Sequence, residues 1–166
     1  MEYNREMKKI CIYILFLLIT NMINAQDNDC SKYHSDNHYY RYTASGYQDV
    51  INGNHSKAKN ESYKMANITA ISELSKMVSA MVTRVIETMT LEYGASYYDI
   101  YSDTALISTY KVFQNIKTIC RSETKLVGNT YITYVTKEIS LDNISNMFQF
   151  NNDIDKQRFR KLLEKK

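Results

Sequence analysis

The chain has 166 residues, with 21 Lys and Arg against 18 Asp and Glu and a net charge of +3. That balance is too even to mark a nucleic-acid surface, and the length suits one ordinary domain. Proline and tryptophan are absent, while tyrosine occurs 15 times.

The chain opens with a positive stretch, Arg5, Lys8 and Lys9, followed by the apolar run Ile10–Ile19. Thr20 and Asn21 end the run, and Ile23-Asn24-Ala25 places a small residue where a signal peptidase would cut. This order predicts a secretory signal peptide over 1–25, cleaved between Ala25 and Gln26. A retained anchor would need about 20 apolar residues, roughly twice this run. A lipoprotein signal would need a cysteine directly after the apolar region. Cys30 instead follows Asp27-Asn28-Asp29, so no lipid is expected.

Cleavage leaves 141 of the 166 residues, with net charge +2, because the removed part holds three cations against Glu2 and Glu6. No later apolar run reaches spanning length, so no transmembrane span is expected after signal removal. Cys30 and Cys120 then remain in an oxidising compartment. Either they form a disulfide, or Cys120 is a small buried apolar residue and Cys30 a free thiol in a tail.

Residues 26–38 are polar and aperiodic and read as a flexible leader. Residues 39–166 read as a single α+β domain. Tyr39–Ser45 is aromatic and β-favouring, a strand ending at Gly46. Asn52-Gly53-Asn54 is turn chemistry, and Asn54 or Ser56 is placed to cap a helix. From Ser56 to about Ala80, a stripe of Tyr63, Ala66, Ala70, Leu74, Met77, Val78 and Met81 recurs at helical spacing. Met65 and Ile68 fall off that stripe. Residues 82–90 are then dense in β-branched side chains. Either the helix runs on to 90 or a strand begins near 82, and the composition favours the strand.

Glu92–Ser102, with Gly94, Tyr93, Tyr97, Tyr98 and Tyr101, reads as a connection. Asp103 is placed to cap a short helix to about Phe113. Ile116–Thr124 and Thr130–Ile139 flank Gly128-Asn129 as a β-hairpin. Asp155–Lys166 reads as a basic helix with Phe159, Leu162 and Leu163 on one face. The whole predicts a small antiparallel sheet of about four strands packed against one long amphipathic helix, with shorter helices.

This order resembles the twenty-kilodalton conserved bacterial outer-membrane lipoprotein family, and its layout is similar to the amino-terminal domain of the flagellar assembly protein T. The likeness rests on Ala44-Ser45-Gly46, on Ala58, Ala66, Ala70 and Leu74, on Cys120-Arg121, on Tyr131–Ile139, and on Asp153–Lys161. It implies an α+β fold and a non-enzymatic role at the cell envelope, with no catalytic or cofactor residues to carry over. The chain departs from the family in lacking a lipid-bearing cysteine.

Three constellations bear on chemistry. Cys30, His34 and His38 recur every four residues, and thiolate with imidazole suits zinc or copper. The competing reading is a polar leader with incidental histidines. Cys120 with His55 would be needed for a thiol hydrolase, yet nothing in the sequence brings them together. Lys156, Arg158, Arg160, Lys161, Lys165 and Lys166 form a cationic end. It reads either as a solvated helix face or as a peripheral contact for anionic lipid. The expected role is therefore an exported, periplasmic or envelope-associated protein that meets a protein partner. A metal or small-ligand binder using Cys30, His34 and His38 is the alternative. No enzyme activity, cofactor or nucleic-acid partner is expected.

Overall fold

The computed structural model describes residues 29–94, 112–150 and 152–165. The predicted signal peptide, the cut at Ala25–Gln26, Tyr97, Tyr98, Tyr101 and the Asp103 cap lie outside the described residues. The fold is α+β, a four-stranded antiparallel sheet with one long helix and shorter ones.

Strands β1 (Tyr39–Asp49), β2 (Lys117–Arg121) and β3 (Lys125–Val127) all pair with β4 (Thr130–Ser140). β1 runs the full length of β4, from Tyr39 opposite Ser140 to Asp49 opposite Thr130. β2 and β3 share the other edge of β4, with a register shift between Thr118 and Cys120. The Gly128-Asn129 turn joins β3 to β4, and Gly128 takes a φ of 62° there, a conformation glycine adopts without steric cost. β1 continues past Gly46, where the sequence reading ended it.

Helix α1 (His55–Tyr93) lies across one face of the sheet. Asn54 caps it, its side chain accepting from the Lys57 amide. The predicted stripe is largely the buried face: Ala66, Ala70, Leu74 and Val78 are fully covered. Small residues, Ala58, Ser62, Ala66 and Ala70, occupy its first half and larger ones its second. The small half lets the helix approach Ala44, Gly46 and Val135 closely. The large half covers a second core with α2 (Leu141–Asn146) and α3 (Asp153–Glu164), centred on Leu74, Ile139, Ile144, Phe159 and Leu163. Met65 and Ile68, off the stripe, are exposed.

The strand expected near residues 82–90 is corrected: this segment is helix. Val82, Val85, Ile86 and Met89 repeat at three- and four-residue spacing, and all four are buried. Burying such a stripe is worth several kcal/mol, at roughly 1.5–3 kcal/mol per large apolar side chain. The propensity cost of β-branching is only about 0.7 kcal/mol or less per residue. Thr88 and Thr90 also direct their hydroxyls to the carbonyls of Arg84 and Ile86, one turn back, as threonine does within helices.

The flexible-leader reading of 26–38 is likewise corrected from Asp29 onward. Asp29–Lys32 forms a 3-10 turn whose Cys30 is wholly buried. Cys30 is disulfide-bonded to Cys120, with S–S 2.06 Å and Cα–Cα 5.6 Å. A covalent tie 90 residues along the chain thus anchors a polar segment that has no apolar period of its own.

Candidate interaction surface

Helix α1 covers one sheet face, so the opposite face carries Tyr39, Arg41, Thr43, Ser45 and Tyr47 from β1 and the alternating partners Glu138, Thr136 and Tyr134 from β4. The upper half of this outer face is crossed by the strap Cys30–Asp36. Thr43 and Thr136 share a hydroxyl–hydroxyl hydrogen bond of 2.7 Å, and each is 3.3 Å from the Cys30 carbonyl. Arg41 joins the strap to the sheet. Its Nε donates to Glu138 at 2.6 Å, and its Nη1 donates to Asp36 at 2.6 Å and to the His34 carbonyl at 2.8 Å. The His38 amide, with the Arg41 guanidinium and the Tyr39 amide, holds the Asp36 carboxyl below its usual range.

The strap then turns down beside the edge of β1 that faces away from β4. Ser35 Oγ accepts from the Arg41 amide at 2.8 Å and donates to the Arg41 carbonyl at 3.1 Å. The Asp36 amide donates to the Tyr39 carbonyl at 3.0 Å. These bonds fix the direction of every backbone group along the strand. N–H and C=O of one residue point the same way in an antiparallel strand, and direction alternates. Tyr39 and Arg41 point to the free edge; so do Thr43, Ser45 and Tyr47. Val50 points the other way and bonds Asn129 across the sheet. No described residue bonds the backbone of Thr43, Ser45 or Tyr47 from the free side.

A shallow cleft of about 510 Å³ lies at this edge, with Ser31, Tyr33 and His34 on one wall and Thr43, Ser45 and Tyr134 on the other. Burial, together with the neighbouring Tyr47 hydroxyl, pushes the Tyr134 phenol up. Tyr47 is about half exposed (51%). An open row of strand donors and acceptors next to tyrosine rings is suited to an extended peptide, whose backbone would extend the sheet while its alternate side chains meet the cleft.

The residues of the alternative metal reading, Cys30, His34 and His38, are not assembled into a site. Cys30 has its sulfur in the disulfide, so no thiolate is available from it. His34 lines the cleft, and the His38 carbonyl accepts from the Leu141 amide. Among the described residues no three His, Cys, Asp or Glu side chains are grouped to hold a metal. The disulfide also removes Cys120 as a thiol nucleophile. His55 sits at the start of α1, with Nδ1 3.4 Å from the Tyr131 hydroxyl. Tyr40, on the helix-facing side of β1, is buried and donates to the Leu163 carbonyl at 2.8 Å. In the basic terminal helix, Arg160 pairs with Asp142 and Glu164, and Arg158 stacks 4.3 Å over the Tyr93 ring. Lys166 lies outside the described residues. No helix among the described residues is long and apolar enough to cross a membrane.

On the helix-facing side, Lys137 is the one buried cation among the described residues, with Nζ donating to Thr118 Oγ1 at 2.6 Å. Burial pushes its pKa below 10.5. From that lowered value up to 10.5 the unfolded chain holds a proton that the folded chain has released, so stability rises with pH across this window. Below the window the full cost of the buried charge is present. Lys137→Met is therefore expected to stabilise the fold modestly at neutral pH, by less than about 1 kcal/mol, because it also removes the bond to Thr118. Its advantage over the wild type should shrink toward pH 10.5, which paired urea melts at several pH values would measure. A loss of stability at pH 7 would show that the ammonium is well solvated.

No protein-family model matches the chain, and a search of curated proteins finds no match to it.

Proposed function

We propose that this chain is an exported, non-enzymatic protein of the cell envelope that acts by holding another protein, and that it does so by strand addition at β1. The observation that carries this reading is the backbone of Thr43, Ser45 and Tyr47 on the outer edge of β1, which no described residue bonds. Exposed edges are usually blunted by lysine, proline or a bulge, because they invite pairing with other chains. Here the edge has none of these between Arg41 and Asp49. The signal-like amino terminus and the resemblance to an envelope lipoprotein family support the compartment. The absence of catalytic signatures in the sequence supports a binding role.

Ser45→Pro tests the reading. The Ser45 N–H faces the open side, so proline there removes a donor for an added strand and leaves the β1–β4 ladder intact. The wild-type protein, crosslinked in a native envelope fraction, should give one reproducible protein adduct. Ser45→Pro should lose that adduct while its melting temperature stays close to wild type. Recovery of only the free monomer, or an adduct indifferent to the proline, would overturn the proposal.

A further inference from the structure

A second concavity, a half-open groove of about 470 Å³, lies on the other side of the molecule, where α1 meets the end of α3. Small-molecule sites are commonly about 300–1,000 Å³ and mostly apolar, with a few polar groups that set orientation. Met77, Met81, Val85 and Leu162 supply the apolar lining. Val85 is buried, and the two methionines and Leu162 are half-buried, so this lining is part of the core boundary and not a loose surface patch. Methionine thioethers are flexible and polarisable and mould to irregular apolar guests.

Two cations, Arg84 and Lys165, border the same groove. Neither forms an ion pair with a described acid. No aspartate or glutamate lines the groove. Glu164, next to Lys165 in sequence, is engaged by Arg160 Nε at 3.0 Å. The groove thus joins an apolar trough to two positive charges that no described acid pairs.

From this pairing we infer that the groove binds a single-chain anionic amphiphile, such as a medium-chain fatty carboxylate, taken up as a monomer. The chain lies over the methionines, and the carboxylate is met by Arg84 and Lys165. Arginine favours this role because its planar fork matches a carboxylate bidentately. The concave shape favours one enclosed chain over a flat bilayer, which a convex cationic face would suit better.

Isothermal titration of the purified protein lacking residues 1–25 with dodecanoate, held below its micelle concentration, tests this. Saturable one-to-one binding is expected, with a neutral glyceryl ester of the same chain bound about tenfold more weakly. The double variant Arg84→Glu/Lys165→Glu, altered only at exposed side chains, should weaken dodecanoate by tenfold or more, with an unchanged circular dichroism spectrum. Met81→Gln, which makes the trough polar without adding charge, should weaken both ligands alike. Absence of saturable binding, equal affinity for acid and ester, or indifference to charge reversal would each overturn the inference. So would co-sedimentation with phosphatidylglycerol vesicles by a protein that ignores free dodecanoate, since that would make the region a membrane-contact face.

Discussion

Gly46→Ala is expected to destabilise the protein by about 3 kcal/mol or more, at the severe end of overpacking substitutions. A Cβ at this position would stand 1.9 Å from the Ser62 carbonyl oxygen and 2.5 Å from the Ala66 amide nitrogen. Both are backbone atoms of α1, so no change of rotamer relieves the clash. The helix has to lift off the sheet, which opens the contacts of Ala66 and Ala70 with Ala44 and Val135. It also strains the hydrogen bond between Ser62 and Thr133, 2.9 Å long and buried. Urea denaturation measures the loss. Trimming Ser62 to glycine in the same chain should not restore stability, because the obstacle is the main chain. Recovery in that double variant would show that the approach is limited by side chains and would remove the explanation.

Replacing Cys30 and Cys120 together by alanine is expected to cost about 4–5 kcal/mol if the bond acts by restricting the unfolded chain over its 90-residue span. Small domains are typically stable by about 5–15 kcal/mol, so the variant would stand close to the folding threshold. The loss should also be local. Without the bond, the strap depends on Arg41, Ser35 and the threonine pair at Cys30. Faster amide exchange at Arg41, whose proton is held by Ser35, should precede global unfolding. If the variant melts like the wild type and Arg41 stays protected, the strap is held by its polar contacts.

Much of this architecture is legible in the sequence because it rests on local periodicity. The stripe from Ala66 to Val78, the Gly128-Asn129 turn and the apolar face of the last helix depend on neighbours three or four residues away, or two across a turn. Residues 82–90 mislead for a definite reason. Their β-branched composition speaks for a strand, while the spacing of Val82, Val85, Ile86 and Met89 speaks for a helix, and burial decides in favour of spacing. The strap misleads because what orders it is a sulfur far along the chain. The free edge is hidden in the sequence for a related reason. Which side of β1 stays open depends on β2 and β3 both pairing with the other side of β4, and on Ser35 reaching only as far as Arg41. The helix-facing lysine gives no sequence signal, since Lys137 interrupts an alternating strand as a surface lysine would.

The disulfide also fixes how the domain would carry a mechanical load. If the chain is pulled from its first described residues and from its carboxyl end, tension enters at Cys30, crosses the sulfurs to Cys120 and leaves along β2 into the hairpin. The closed ring between the two cysteines contains β1 and α1, and its backbone lies off the line of force. The hairpin and the two terminal helices would yield first. The long helix and its strand would stay linked within a covalent loop that stretching cannot draw out.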